Sequence, residues 1–184
     1  MEQLDPRARA DIYGQRINRE PYPWRVRGVP YASIMLASLV PVLLMADVMP
    51  LAPPLGFLML LGWRMVRPGL LPLWAGAPLG AFDDLVSGQP FGSAILLWSL
   101  VMIAIELIET RFPWRGFWQD WFTAGVMATA YWLATLLVSG APMTQALLLV
   151  ALPQALMAIL LYPIMARMVA SLDRFRLARA RRIS

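Results

Sequence analysis

Long apolar stretches alternate with short polar connections along most of this 184-residue chain. A helix of about 20 apolar residues crosses the ~30 Å hydrocarbon core of a bilayer, and most of these stretches approach that length. The pattern predicts an all-α integral membrane protein with polar cytoplasmic arms at 1–29 and 171–184. The transmembrane domain, 30–170, is predicted to be a six-helix bundle with spans at about 31–49, 55–66, 70–86, 91–108, 117–138 and 145–169.

Two of the predicted spans are irregular. The second covers only roughly 20 Å at 1.5 Å per residue, so it must gain length from flanking residues, thin the bilayer or be shielded by neighbouring helices. The third contains Pro72 and Pro78, which predict a kink or an interruption that other protein groups cover. Its Gly76 and Gly80 form a GxxxG step that admits a close helix neighbour. A re-entrant hairpin formed by these two segments is the alternative, and it leaves both chain ends on one side.

The sixteen basic residues are all arginine, and they occupy the two ends of the chain and every second connection. The connections at 49–54, 87–90 and 139–144 contain none. Because short Arg-rich loops stay in the cytoplasm, both termini are predicted to lie inside. Hydrophobic residues make up 59% of the chain and the net charge is +5, which suits a cytoplasmic face lying against anionic lipid. The charge serves either orientation alone or specific lipid binding.

The chain contains no histidine, cysteine or lysine. This composition excludes histidine general-base catalysis, HExxH zinc sites, Ser–His triads and P-loop lysines. An intramembrane aspartyl protease built on Asp47 and Asp84 is disfavoured, because the only asparagine, Asn18, lies in the amino-terminal arm. A transporter would suit the broken third span, but the chain has no internal repeat and no ionisable residue near the centre of a span. We therefore expect no enzymatic activity, no cofactor, no metal and no nucleic-acid partner.

Two adjacent acids, Asp83 and Asp84, lie at the outer end of the third span. The simpler interpretation is a turn, in which an Asp side chain binds backbone amides and Gly88 adopts a left-handed conformation. The alternative is a polar contact with another helix or with a partner protein. Neighbouring residues on a helix point about 100° apart, so the two acids are not expected to share one role.

A second pair of acids, Glu106 and Glu109, is three residues apart and therefore lies on one face of the fourth span. The pair approaches the inner boundary, where several arginines are expected: Arg64, Arg67, Arg111 and Arg115. We predict a cytoplasmic charge cluster that ties the inner loops together, and two separately hydrated acids are the alternative. Four aromatic residues lie close to the predicted inner loop that contains Arg111 and Arg115, namely Trp114, Phe117, Trp118 and Trp121. They form either an interfacial belt or a partner-docking surface.

Two segments carry a motif with distinctive spacing, GWRMVRP at 62–68 and GAFDDLVSGQPFG at 80–92. The first ends a short helix with an aromatic residue and a proline. The second ends an apolar helix in Gly, Asp, Ser-Gly and a further Gly. This arrangement resembles the rod shape-determining protein MreD family, in which Asp84 matches the family's Asp by its spacing to Ser87-Gly88 and Asp83 is an extra. The likeness extends more weakly over the membrane domain, in length and span order.

The resemblance implies a non-enzymatic scaffold of the rod complex, or elongasome, in the bacterial inner membrane. Its implied partners are MreC above all, then the filament protein MreB, the glycosyltransferase RodA and a class-B penicillin-binding transpeptidase. The implied fold is similar to the six-helix S-components of energy-coupling-factor transporters, so a vitamin-type binding subunit is the alternative function. The candidate residues for partner contact or packing are Trp63, Arg64, Arg67, Pro68, Gly76, Gly80, Asp84, Gly88, Gly92, Glu106 and Glu109.

Overall fold

The computed structural model describes residues 23–45, 53–112, 116–138 and 145–177. Within these ranges the chain forms helices and no strand. The α-helices are α1 (Pro23–Met45), α2 (Leu55–Val66), α3 (Gly76–Ser87), α4 (Ser93–Arg111), α5 (Phe117–Val138) and α6 (Gln145–Leu177), with a 3₁₀ turn at Leu73–Ala75. Several sequence predictions fall outside the described residues, namely those on 1–22, Asp47, Trp114, Arg115, 139–144 and 178–184.

The short helix α2 lies at the centre of the bundle. It contacts α1, α4, α5 and α6, and all of its residues from Gly56 to Met65 are buried. A helix that is apolar on nearly every side is stable only where neighbours surround it, and α2, whose one charged residue is Arg64, is such a helix. Shielding by neighbouring helices, one of the three expected ways to accommodate its length, is therefore present in the fold.

The third predicted span is helical only in its second half. The prediction of a helix from residue 70 is wrong: residues 70 and 71 form bends, residues 73–75 form a 3₁₀ turn, and α3 begins at Gly76. Pro72 explains the difference, because it has no N–H to donate and pushes the residue before it out of the helical region. Pro78 lies in the first turn of α3, where N–H groups have no intrahelical acceptor, so its missing N–H removes no hydrogen bond within that helix.

The remaining helices differ from the predicted spans mainly at their ends. Helix α5 has the predicted bounds, whereas α4 starts and ends slightly later than predicted. Helix α1 includes 23–29, which the prediction assigned to the cytoplasmic arm, because a proline is well tolerated at a helix start. Helix α6 continues to Leu177, into the predicted tail, because no proline or glycine follows Pro163 in that helix.

Four helices in the described part of the chain are long and apolar enough to cross a bilayer, at Arg25–Leu43, Ser93–Arg111, Phe117–Val138 and Leu152–Leu177. Their outward faces carry large apolar side chains, which suit lipid better than water. Examples with at least half of the side chain exposed are Leu36, Leu43, Leu96, Leu100, Leu107, Phe122, Leu137, Leu156 and Leu160. The architecture is that of a helical membrane protein.

Two prolines inside the long helices leave carbonyl groups that side chains of other helices satisfy. Pro30 cannot donate to the Val26 carbonyl, which instead accepts a hydrogen bond of 3.0 Å from Arg176 Nη1. Pro163 likewise leaves the Ile159 carbonyl, which accepts one of 3.1 Å from Trp121 Nε1. Each proline thereby becomes a point of attachment between helices, as the membrane interior requires of freed backbone groups.

Candidate functional site

The carboxylate of Asp84 caps the amino-terminal end of α4. Its oxygens accept hydrogen bonds from the backbone N–H groups of Gly92 and Ala94, both at 2.8 Å, and from that of Ile95 at 3.3 Å. The Ser93 hydroxyl donates a fourth, at 3.0 Å. These are the orphan donors of a helix start, where the positive end of the helix dipole also favours a carboxylate. Asp84 therefore offsets its unfavourable position at the end of α3 by binding the start of the next helix.

The connection between α3 and α4 allows this capping through two glycines. Gly88 ends α3 with φ of +70° and Gly92 precedes α4 with φ of +101°, both in the left-handed region that other residues rarely adopt. We call Asp84, the two glycines and the first turn of α4 the capped turn. The prediction of left-handed Gly88 is confirmed. Asp84 binds backbone amides, as the turn interpretation predicted, and these amides lie at the start of α4, so contact with another helix is confirmed as well. A direct partner contact is unsupported, because Asp84 is only 4% exposed.

The GxxxG step of α3 packs directly on the backbone of α4. A Cβ atom at Gly80 would lie 2.5 Å from the Ala94 carbonyl oxygen, and one at Gly76 would lie 3.0 Å from the Trp98 carbonyl oxygen. The predicted close helix neighbour is therefore α4. These contacts hold the two helices together at the height where the capped turn joins them.

We expect Gly80→Ala to lower the free energy of unfolding by about 1–3 kcal/mol, the usual cost of overpacking, because the new methyl group meets rigid backbone. Gly28→Ala is the matched control, since a Cβ atom there has no neighbour within 4 Å. Thermal unfolding in detergent compares the two variants. Equal melting temperatures for both would contradict the close approach of α3 and α4.

At the opposite end of the bundle, Arg64 of α2 forms an ion pair with both glutamates of α4. Its Nη2 atom contacts Glu106 Oε2 and lies 2.9 Å from Glu109 Oε2. Arg64 is 1% exposed, whereas Glu106 is 44% exposed at its side chain. The predicted charge cluster is confirmed for these three residues, so the glutamates are not separately hydrated. Arg111 ends α4 as an exposed residue at this end.

A second cluster, which the sequence did not indicate, joins α2 to α6. Asp173 accepts a bond of 2.7 Å from Arg67 Nε and one of 2.6 Å from Arg176 Nε. The Arg176 guanidinium also lies 5.7 Å from the centre of the Trp63 ring. Trp63 itself is fully buried and donates its Nε1–H to the Ser33 hydroxyl at 2.8 Å. The i, i+3 spacing of Asp173 and Arg176 could have predicted their ion pair on one face of a helix, but it does not indicate that Arg67 joins them.

The other candidates at the end of the bundle that holds Arg64 are Pro68 and the aromatic group. Pro68 is exposed in the turn after α2, where Gly69 has φ of +79°. Of the predicted aromatic group, Phe117 and Trp118 are largely exposed, in keeping with an interfacial belt, whereas the Trp121 ring bridges to α6. The choice between belt and docking surface stays open for the two exposed rings.

Both ends of the bundle thus hold polar side chains that join helices rather than a convergent set of reactive groups. Within the described ranges no three acidic, histidine or cysteine residues lie close enough to hold a metal ion. What this arrangement can do is fix the helices relative to one another and present their outer surfaces. Comparisons with protein-family models, curated proteins and solved structures found no match to this chain.

Proposed function

We propose that this protein is a non-enzymatic scaffold of the rod complex in the bacterial inner membrane, related to the MreD family. The observation that carries the proposal is that the two MreD-like segments form packed structural units. Gly80 and Asp84 of the second segment attach α3 to α4, and Trp63 and Arg64 of the first are buried between helices. A motif whose residues hold the bundle together suits a protein that acts by presenting surfaces.

In this proposal the arginine-rich end faces the cytoplasm. The exposed arginines near this end are Arg27, Arg67, Arg111 and Arg174, whereas Arg64 and Arg176 are buried in the ion pairs described above. This surface would lie against anionic lipid and would contact MreB, with RodA and the class-B transpeptidase elsewhere in the same complex. All six helices would cross or enter the membrane, with both termini inside.

Orientation is testable by single cysteines, since the chain has none of its own. Ser87 and Thr110 are exposed residues near opposite ends of the bundle. We expect Ser87→Cys to react with a membrane-impermeant maleimide on intact spheroplasts. Thr110→Cys should react only after the membrane is permeabilised. The reverse labelling pattern would overturn the orientation and with it the proposed contacts at each face.

MreC is the proposed principal partner, and its transmembrane helix would meet the bundle near the capped turn. Because Asp84 is buried, the contact must use exposed neighbours. Leu85 is 73% exposed on α3 and Phe91 is 70% exposed beside α4. Two large apolar side chains at one height provide the kind of anchor that partner helices bind.

We expect Phe91→Ser to reduce recovery of MreC with the tagged protein several-fold, because it removes an exposed aromatic anchor. Phe112→Ser is the matched control: Phe112 follows the other end of α4 and is 64% exposed. Recovery is measured by quantitative immunoblot after detergent extraction, with bait amounts equalised. Equal loss from both variants would refute docking at the capped turn. Failure of the unmodified protein to recover MreC would refute the proposed function itself.

A further inference from the structure

Four polar side chains from four helices meet inside the outer half of the bundle. They are Ser38 of α1, Asp83 of α3, Trp98 of α4 and Tyr131 of α5, with exposed fractions of 6%, 8%, 0% and 3%. The Ser38 hydroxyl and the Tyr131 hydroxyl both lie close enough to interact with the Asp83 carboxyl group, and Trp98 neighbours Tyr131. We call these four residues the outer polar cluster. The MreD-like motif assigns no role to Asp83, and neither does the capped turn.

Three groups of this cluster are buried and have no hydrogen-bond partner among the described residues. They are Ser38 Oγ, Trp98 Nε1 and the Tyr131 hydroxyl. The Tyr131 hydroxyl lies near the side chains of Trp98, Thr135 and Gln89 but outside hydrogen-bonding geometry. Ser38 Oγ approaches Asp83 in the same way. Three buried polar groups beside the Asp83 carboxyl group thus lack a direct hydrogen-bond partner among the described residues, which is the situation in which proteins bind a bridging water molecule.

Other indole groups of the chain behave differently. Trp63, Trp121 and Trp132 donate directly to the Ser33 hydroxyl, the Ile159 carbonyl and Gln154 Oε1, at 2.8, 3.1 and 2.8 Å. Each of these three tryptophans therefore has a direct hydrogen-bond acceptor close to it in the fold. Trp98, which is fully buried, neighbours the Tyr131 hydroxyl but has no acceptor in hydrogen-bonding geometry among the described residues.

We propose that the outer polar cluster is a binding site for ordered water. One water molecule accepts two hydrogen bonds and donates two, so it can accept from Trp98 Nε1 and the Tyr131 hydroxyl while donating to the Asp83 carboxyl and Ser38 Oγ. Buried water in proteins makes about three such bonds to otherwise unsatisfied groups. Leaving these buried groups unsatisfied would destabilise the fold. An ionisable side chain inside a membrane bundle also requires a partner of this kind.

Two features of the neighbourhood fit this assignment. Gly56 of α2 packs against Ser38 so closely that a Cβ atom there would lie 1.9 Å from Ser38 Oγ, so only glycine leaves space for the hydroxyl. Gln89 lies half-buried in the capped turn, near Tyr131, and provides a polar route from the outer surface. The two adjacent acids thus have separate roles: Asp84 caps a helix, and Asp83 binds water.

The test is nuclear Overhauser transfer from water to the indole protons of the full-length, ¹⁵N-tryptophan-labelled protein in nanodiscs. The eight indole signals are assigned by single Trp→Phe variants. We expect a cross peak between water and the Trp98 indole proton. Trp132 is the matched control, because its acceptor is an amide oxygen that carries no exchangeable hydroxyl proton. A Trp98 signal without a water cross peak, or no stronger than that of Trp132, would overturn the proposal.

The Asp83→Leu variant distinguishes two origins of the Trp98 cross peak: a bound water molecule, and exchange of hydroxyl protons near the indole with solvent. The variant removes the acceptor for the water but leaves the Ser38 and Tyr131 hydroxyls in place, so the Trp98 cross peak should disappear. Asp83→Asn retains an acceptor oxygen of the same shape and should retain the cross peak. An unchanged cross peak in Asp83→Leu would show that the hydroxyls alone transmit the signal, and it would exclude the site. The Trp98–Trp132 comparison in the unmodified protein does not depend on either variant folding.

Discussion

Replacing both Glu106 and Glu109 with glutamine is expected to lower the free energy of unfolding by about 3–5 kcal/mol, the usual cost of leaving a buried charge without its partner. Arg64 stays 1% exposed in the last turn of α2, so water cannot readily solvate its guanidinium. Glu109 should contribute more than Glu106, since their side chains are 15% and 44% exposed and solvent screens the more exposed pair. Unfolding by SDS titration in mixed micelles measures the difference.

The control for this prediction also removes the unpaired charge of Arg64. Arg64→Met in the double-glutamine background should recover a large part of the lost stability, because a buried ionic network replaced by apolar groups is often close to neutral. Such recovery would identify an unpaired charge, rather than lost packing, as the cause. Unchanged stability of the double-glutamine variant would show that the ion pairs contribute nothing and that the glutamates are hydrated separately.

Local sequence patterns predicted those parts of the fold that depend on local chemistry. The bounds of α5 follow from hydropathy alone, and the approach of α3 to a neighbour follows from Gly76 and Gly80. The pairing of Arg64 with Glu106 and Glu109 was predictable because two acids three residues apart share a helix face near an arginine-rich boundary.

Contacts between distant segments could not be predicted in the same way. The Arg67–Asp173 ion pair joins residues 106 positions apart, and nothing near either residue indicates the other. The hydrogen bond from the Trp121 indole to the Ile159 carbonyl was equally unpredictable. A proline in a helix indicates that a carbonyl group has lost its donor, but it does not indicate which side chain replaces that donor. The high hydropathy of residues 70–75 predicts a helix, but hydropathy does not distinguish an apolar turn from an apolar helix.

Asp84→Ala is expected to lower the free energy of unfolding by about 2–3 kcal/mol, toward the upper end of the range for a helix cap because the acceptor is charged and nearly buried. Three backbone amides and the Ser93 hydroxyl lose their acceptor together. Asp84→Asn keeps one acceptor oxygen and should lose about half as much. Ser87→Ala, an exposed residue before the same turn, is the control and should unfold like the unmodified protein.

The same variants distinguish a structural carboxylate from a docking one. If Asp84 bound MreC directly, Asp84→Ala would lower MreC recovery at temperatures where the variant is fully folded. Since its carboxylate is occupied by α4, we expect recovery of MreC to stay unchanged while the protein is folded and to fall only as it melts. Phe91→Ser should show the opposite behaviour, with an unchanged melting temperature and reduced recovery, because Phe91 is exposed and supports no helix. If the folded Asp84→Ala variant recovered less MreC, the carboxylate would belong to the partner interface, which would contradict its role as a buried helix cap.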